Sequence, residues 1–179
     1  RVAWSVLPVS SISRTTLAPG LEISRVVTGL WQIADMERDG RTIDLDQAAQ
    51  AMTPYVDAGF TSFDMADHYG SAEVIAGKCR PLGAPASLQL FTKWVPKPGP
   101  VTGADVRAAV ERSLTRLQVP AIDLLQFHAW NYADPSWLDA LFHLQDLKRE
   151  GLIRQIGLTN VDAAHLRVVL ASGIEVVSN

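Results

Sequence analysis

The sequence lacks the residues and segments that several classes of protein require. It has a single cysteine, Cys79, which excludes an intrachain disulfide and a zinc site built from cysteines. No apolar run approaches the roughly 18 to 20 residues that a membrane-spanning helix needs, so we predict no membrane segment. The net charge is −3 and the basic residues are scattered, which argues against nucleic acid or anionic lipid as a partner.

The composition is that of a folded globular chain. The 179 residues are 47% hydrophobic and 20% charged, which is enough for the core of one domain or slightly more. The first 21 residues contain two arginines, four serines, two threonines and no acid. That bias is typical of an organellar transit-peptide remnant and also of an exposed N-terminal tail, which we favour. We therefore expect a soluble intracellular protein, either cytoplasmic or in a chloroplast or mitochondrion, and leave the choice open.

Beyond the tail, apolar runs alternate with stretches of helical period, about one pair every 30 residues. The runs are nearly continuously apolar, which is typical of strands buried on both faces of a parallel sheet. The predicted strands are 26–30, 60–63, 88–91, 122–127, 153–158 and 174–177. The predicted helices are 45–57, 102–118 with Thr102 and Asp105 as its cap, one from Asp134-Pro135 to Glu150, and one from Asp162 to Gly173.

Two α/β architectures fit this alternation, the open doubly wound sheet and the (β/α)8 barrel. No G-x-G-x-x-G turn follows the first strand, which weakens the dinucleotide-binding form of the open sheet. Pro19-Gly20 lies between two short apolar segments and predicts a hairpin that could plug one end of a barrel. We therefore predict a (β/α)8 TIM-type barrel with an N-terminal β-hairpin, present here as about its first six strands.

Polar residues end four successive predicted strands. They are Asp64, Lys93, His128 and the pair Thr159-Asn160. In a (β/α)8 barrel this is the end of the strands where the chemistry is found. A carboxylate on the neighbouring strand would keep Lys93 charged, and a charged Lys93 would lower the pKa of a nearby phenol.

The phenol that we select is Tyr69, in the loop that follows Asp64. A tyrosine can act as general acid toward a carbonyl oxygen that is becoming an alkoxide. His128 could donate a second hydrogen bond to the same oxygen, and the Asn160 amide could fix another amide in one orientation.

Three tryptophans directly follow predicted strands and suggest an apolar substrate pocket, with loop packing as the alternative. They are Trp31, Trp94 and Trp130. Asp67 and His68 with His128 could be imagined as metal ligands, but no His-x-His pair ends the first strand. We therefore interpret His68 as a surface-loop residue, expect no metal site, and expect Cys79 to be a packed thiol.

Four motifs, in order and over nearly the whole chain after Leu21, resemble the signatures of the aldo/keto reductase superfamily. They are Phe63-Asp64-Met65-Ala66 with Tyr69-Gly70, then Phe91-Thr92-Lys93, then residues 123–128, then Gly157-Leu158-Thr159-Asn160. The resemblance implies hydride transfer between NADP(H) and an aldehyde or ketone. It implies Tyr69 as proton donor, tuned by Asp64 and Lys93, and His128 as substrate orienter. It also implies that Thr159 and Asn160 hold the nicotinamide carboxamide.

The chain is shorter than the family pattern, because a complete barrel has eight strands and roughly 250 residues. We expect residues 1–20 to form a tail and the beginning of the hairpin, and residues 21–179 to form the N-terminal two-thirds of the barrel. Three explanations remain: a fragment of a complete reductase, which we favour, a second chain that completes the barrel, or a truncated or regulatory NADP(H)-binding scaffold with little or no turnover. For the 179 residues alone we predict weak or absent NADPH binding and no turnover.

Overall fold

The computed structural model describes residues 12–34, 42–79 and 88–179. The N-terminal segment for which we expected a transit peptide or a tail lies mostly outside these residues. The strands are β1 Arg14–Ala18, β2 Leu21–Ser24, β3 Thr28–Gly29, β4 Ser62–Asp64, β5 Gln89–Trp94, β6 Ile122–Phe127 and β7 Ile153–Leu158. The helices are α1 Leu45–Gln50, α2 Thr53–Asp57, α3 Ala72–Cys79, α4 Gly103–Leu117, α5 Ser136–Arg149 and α6 Ala163–Ala171.

The last five strands form one parallel sheet in the order β3-β4-β5-β6-β7, which is also their order in the sequence. Helices separate the strands along the chain, so each connection is a crossover of the kind that parallel neighbours require. The register pairs Asp64 with Phe91 and Lys93 with Gln126, and the carboxyl ends of the strands meet at one edge. The predicted alternation of strand and helix is confirmed.

The predicted hairpin is also confirmed, and it packs against the sheet where the strands begin. Strands β1 and β2 pair in antiparallel fashion around Gly20, whose φ of 76° suits a turn glycine. Hairpin side chains, including Leu21, form a small cluster with Phe91 of β5 and Leu124 of β6. The Arg14 guanidinium donates a 2.9 Å hydrogen bond to Thr61, just before β4 begins. The hairpin therefore covers the end of the sheet at which the strands begin.

The main core lies between the sheet and the helices. Helices α3 and α4 approach closely at Gly77, where a Cβ atom would lie 2.3 Å from the carbonyl oxygen of Arg116. The predicted cap of α4 is present as a reciprocal pair. Thr102 accepts from the Asp105 backbone N–H, and the Asp105 carboxylate accepts from the Thr102 N–H.

Two predicted elements differ from the structure. The helix predicted over 45–57 is divided into α1 and α2, because Pro54 has no N–H to continue the hydrogen-bond ladder. The strand predicted over 174–177 is wrong, and the described sheet has five strands instead of six. This segment lies beside β7 through two backbone hydrogen bonds, from Val177 to Ile156 and from Leu158 to Ser178, which are too few for a regular ladder. Among the helices in the described ranges, none is long and apolar enough to cross a membrane.

Candidate active site

The polar residues predicted at the strand ends lie along one edge of the sheet. Asp64 ends β4 and Lys93 is the penultimate residue of β5, while His128 and Thr159 directly follow β6 and β7. Backbone hydrogen bonds extend the sheet past these ends, from His128 to Trp94 and from Thr159 to Phe127. The backbones of His128 and Thr159 therefore continue the hydrogen bonding of the strands that precede them.

Asp64 and Lys93 form an ion pair at the centre of this edge. The Lys93 ammonium donates to Asp64 Oδ2 and, at 3.0 Å, to the Met65 carbonyl oxygen. The second carboxylate oxygen, Oδ1, accepts a 2.7 Å hydrogen bond from the Gln126 amide. The sequence analysis did not select Gln126, although a glutamine near the carboxyl end of a largely buried strand is a usable signal. Both oxygens of the Asp64 carboxylate thus accept hydrogen bonds, which fixes the orientation of the carboxylate.

The Tyr69 ring lies beside this pair. Lys93 Nζ is 5.3 Å from the centre of the ring, and Trp31 contacts the same ring edge-to-face at 4.9 Å. Burial raises the pKa of the Tyr69 phenol, and the nearby Asp64 carboxylate raises it further. We expected Lys93 to lower this pKa. That expectation is not met, because burial of the phenol and the Asp64 carboxylate both raise its pKa. The phenol consequently retains its proton at neutral pH.

The His128 imidazole lies on the next strand end. Its Nδ1 is hydrogen bonded to the Thr159 hydroxyl, which leaves Nε2 as the ring nitrogen available to a ligand. Burial lowers the pKa of His128, and the charges of His68 and Lys93 add to the effect. His128 is therefore a neutral imidazole at neutral pH, able to donate through one N–H only.

His68 is an exposed loop residue, as predicted, and its ring also belongs to the same group of rings. Its ring centre is 4.9 Å from that of Tyr69 and 6.2 Å from that of His128, with an angle of 17° between the two imidazole planes. Its Nδ1 is 3.1 Å from Asp67 Oδ1. Burial raises the pKa of Asp67, and the hydrogen bond with His68 opposes that shift.

No group of three or more histidine, cysteine, aspartate or glutamate residues within the described ranges is arranged to hold a metal ion. Cys79 is buried, as expected for a packed thiol.

The three predicted pocket tryptophans are not all in one place. Trp31 is 37% exposed beside Tyr69, and Trp130 is 73% exposed with its ring 5.2 Å from that of His128. Trp94 is only 7% exposed and packs in the main core with Phe127. As the residue after Lys93 in a strand, it points to the opposite face of the sheet. The assignment of Trp94 to the same pocket as Trp31 and Trp130 is therefore corrected.

A cavity of about 360 Å³ borders Trp130. Its walls come from the loops that follow β5 and β6, and they are mostly apolar; the lining includes Val95, Pro96, Val101, Ala129 and Trp137. Of the ring group, Trp130 is the residue that lines this cavity.

The turn after β7 presents Thr159 and Asn160. Asn160 has a φ of 57°, and within the described ranges its exposed side-chain amide has no hydrogen-bond partner. The next residue is held from the far end of the chain. The Val161 N–H donates to Asn179 Oδ1 at 3.0 Å, and Asn179 Nδ2 donates to the Val161 carbonyl at 2.8 Å. A single side chain thus fixes both backbone groups that follow the turn.

The described residues form part of a (β/α)8 barrel. They comprise the hairpin, the consecutive parallel strands and the polar side chains at the carboxyl ends of those strands, where barrels of this kind carry their active sites. The sequence model described as "Aldo/keto reductase family" matches residues 25–179. The rat protein "Aflatoxin B1 aldehyde reductase member 2" is 32% identical over 170 residues, which cover 89% of this chain and 45% of the rat protein. The chain belongs to the aldo/keto reductase family.

Solved structures agree with this fold. The crystal structure of the thermostable aldo-keto reductase Tm1743, in complex with the inhibitor epalrestat, superposes with a TM-score of 0.77 at 26% identity, covering 91% of this chain and 59% of that one. The Bombyx mori aldo-keto reductase in complex with NADP gives a TM-score of 0.72 at 22% identity, covering 93% and 56%. The family and the barrel architecture are therefore confirmed. The chain spans about half the length of the curated relatives that it matches.

Proposed function

We propose that this chain carries the catalytic groups of an NADP(H)-dependent oxidoreductase, which reduces an aldehyde or ketone to an alcohol. The observation that carries the proposal is the meeting of Asp64, Tyr69, Lys93 and His128 at one edge of the sheet. The four groups come from separate segments, and each supplies a function that carbonyl reduction needs.

The residues at the end of β7 suit the nicotinamide end of the cofactor. A carboxamide needs both donors and acceptors, and the exposed Asn160 amide offers both with no competing partner among the described residues. Thr159 lies beside it, with its hydroxyl bonded to His128, so the cofactor and substrate sides of the site adjoin. When bound, the cofactor supplies the hydride. The Bombyx mori reductase with NADP supports the choice of a nicotinamide cofactor.

The proton comes from Tyr69. Its raised pKa keeps the phenol protonated at neutral pH, so the O–H can donate to the carbonyl oxygen as that oxygen gains negative charge. Neutral His128 donates a second hydrogen bond from Nε2 to the same oxygen when its proton is on that nitrogen, which stabilises the developing alkoxide. One hydride and one proton are added to the C=O group, and the product is an alcohol.

The substrate pocket in this proposal is formed by Trp31 and Trp130 with the cavity beside Trp130. Their aromatic faces suit an apolar substituent on the carbonyl compound. Trp94 stabilises the core instead of contacting this substrate.

The experiment that tests the proposal measures transfer of the hydride from NADPH to an aldehyde. The protein expressed from its complete gene is mixed with NADPH that carries deuterium at the transferable position and with 4-nitrobenzaldehyde. We expect deuterium at the carbinol carbon of the nitrobenzyl alcohol, by mass spectrometry. Binding of NADPH without transfer of the label, to any of a panel of aldehydes and ketones, would instead indicate a regulatory scaffold and contradict the proposed reaction.

A further inference from the structure

His68 is the ring in the candidate site that has no role in the reaction as proposed. Its side chain is about one-third exposed, at 34%, and lies in the loop that carries Tyr69. Its ring neighbours three others of the site: Tyr69 at 4.9 Å, His128 at 6.2 Å and Trp130 at 6.4 Å. Tyr69 and His128 are the two proposed donors to the carbonyl oxygen, so the His68 ring adjoins both of the rings that would contact the substrate carbonyl.

The orientation of this imidazole is fixed by Asp67. The carboxylate, whose side chain is 19% exposed, accepts a hydrogen bond from Nδ1 at 3.1 Å. Because Nδ1 is committed to Asp67, the nitrogen left for a ligand is Nε2, on the opposite side of the ring. Nε2 of His68 has no partner among the residues that the structure describes.

The loop itself is anchored from behind. The Arg116 guanidinium of α4 donates to the Asp67 carbonyl oxygen at 3.1 Å and pairs with the buried Glu73 at 3.3 Å. Glu73 in turn accepts a 2.7 Å hydrogen bond from the Thr92 hydroxyl of β5. Asp67 is thus linked to α3, α4 and the sheet, and the loop that carries the His68 imidazole is anchored at the preceding residue.

We propose that His68 is a specificity-determining residue that binds a hydroxyl group on the carbon next to the substrate carbonyl. A hydroxyl is both donor and acceptor, so it matches Nε2 whether that nitrogen carries a proton or not. The substrates selected are α-hydroxy aldehydes and ketones, and their products are vicinal diols. This inference rests on the proposed function, because it assumes that the carbonyl lies between Tyr69 and His128.

The kinetic test compares lactaldehyde with propanal, which differ by one hydroxyl group on the carbon next to the carbonyl. In the protein expressed from its complete gene, we expect kcat/KM for lactaldehyde to exceed that for propanal by about tenfold, the effect of one good hydrogen bond. His68→Phe retains a ring but no nitrogen and should bring the ratio close to one. His68→Gln, which has an amide nitrogen, should restore part of the preference.

The matched control is His143→Gln on α5, because His143 lies outside the ring group. We expect this variant to keep the wild-type ratio. A ratio near one in the wild type, or a ratio that His68→Phe leaves unchanged, would overturn the proposal.

A second readout does not depend on turnover. The ring nitrogens of His68 in the isotope-labelled protein, expressed from its complete gene, are observed by NMR during addition of either aldehyde, and His68→Phe identifies their signals. Lactaldehyde should shift the Nε2 signal while propanal should not, and equal effects of the two would contradict the role of His68. If neither aldehyde is reduced but lactaldehyde alone shifts the signal, the proposed function fails and the hydroxyl site remains.

Discussion

The amide of Gln126 donates a 2.7 Å hydrogen bond to Asp64 Oδ1, the carboxylate oxygen that does not contact the Lys93 ammonium. The carboxylate is therefore held on two sides, by a charged donor and by a neutral one, each from a different strand. We expect the orientation of the ion pair, and through it the position of the Lys93 ammonium beside Tyr69, to depend on Gln126.

Replacement of Gln126 by leucine tests this dependence. The variant leaves one oxygen of a half-buried carboxylate without a donor, so we expect the free energy of unfolding to fall by about 1 to 3 kcal/mol. Urea denaturation measures it. Gln50→Leu on the exposed surface of α1 is the control and should change stability by less than about 0.5 kcal/mol. Equal effects of the two substitutions would show that the Gln126 hydrogen bond does not support Asp64.

Replacement of Lys93 by methionine tests the electrostatics around the phenol. Asp64 loses its counter-ion, and its carboxylate already raises the pKa of Tyr69. A group whose pKa is raised keeps its proton to higher pH, so the alkaline decline of kcat should move to higher pH while the maximal rate falls. The measurement is the pH profile of aldehyde reduction. A profile with the same alkaline limb as the wild type would contradict the coupling of Asp64, Lys93 and Tyr69.

Replacement of Gly157 by alanine tests the packing of Ser178 against β7. A Cβ atom there would lie 2.4 Å from the Ser178 hydroxyl oxygen, so alanine must displace at least the Ser178 side chain. We expect Gly157→Ala to lower the free energy of unfolding by about 1 to 3 kcal/mol. Gly29→Ala is the matched control, since no atom lies within 4 Å of its added carbon. Thermal denaturation compares the two, and a Gly157→Ala variant as stable as the control would show that the contact is readily relieved.

Replacement of Asn179 tests whether its hydrogen bonds to Val161 support the turn that we propose binds the nicotinamide carboxamide. Asn179→Ala removes both hydrogen bonds to Val161, so the Val161 amide should exchange its hydrogen faster and the Kd for NADPH should rise, by about threefold to tenfold for each bond. Hydrogen exchange and nicotinamide fluorescence measure the two effects. The control is Asn131→Ala, which removes one side-chain hydrogen bond to the backbone in an exposed turn. Faster exchange with unchanged NADPH affinity would separate the turn from the cofactor.

The parts of the fold that the sequence predicts best are strands buried on both faces. The bounds of β6 and β7 agree with the predicted 122–127 and 153–158, and most of the residues in both strands are buried. The prediction over 26–30 shortens to Thr28–Gly29, since Val26 and Val27 are exposed and not part of the sheet. Apolar composition alone does not distinguish a strand from a segment that lies beside one, which is why 174–177 was assigned wrongly.

The residues of the candidate site also differ in how well the sequence predicts their positions. The residues at strand ends followed from the topology alone, because parallel strands place their carboxyl ends together. The role of Trp94 did not, although alternation along β5 already puts it on the opposite face from Lys93. The position of His68 could not be predicted, because it depends on the conformation of a loop that Arg116 and Asp67 hold. Long-range side-chain contacts of this kind leave no periodic pattern in the sequence.

The most direct test of the central claim is the rate of aldehyde reduction by the Tyr69→Phe variant, measured against Tyr55→Phe on the exposed surface of α2. If the phenol supplies the proton, kcat should fall by about 100-fold or more while NADPH affinity is retained, because a positioned general acid contributes about 10² to 10⁴ in rate. The Tyr55→Phe variant should reduce the aldehyde at the wild-type rate. A loss of less than about tenfold in Tyr69→Phe would contradict the assignment of Tyr69 as the general acid.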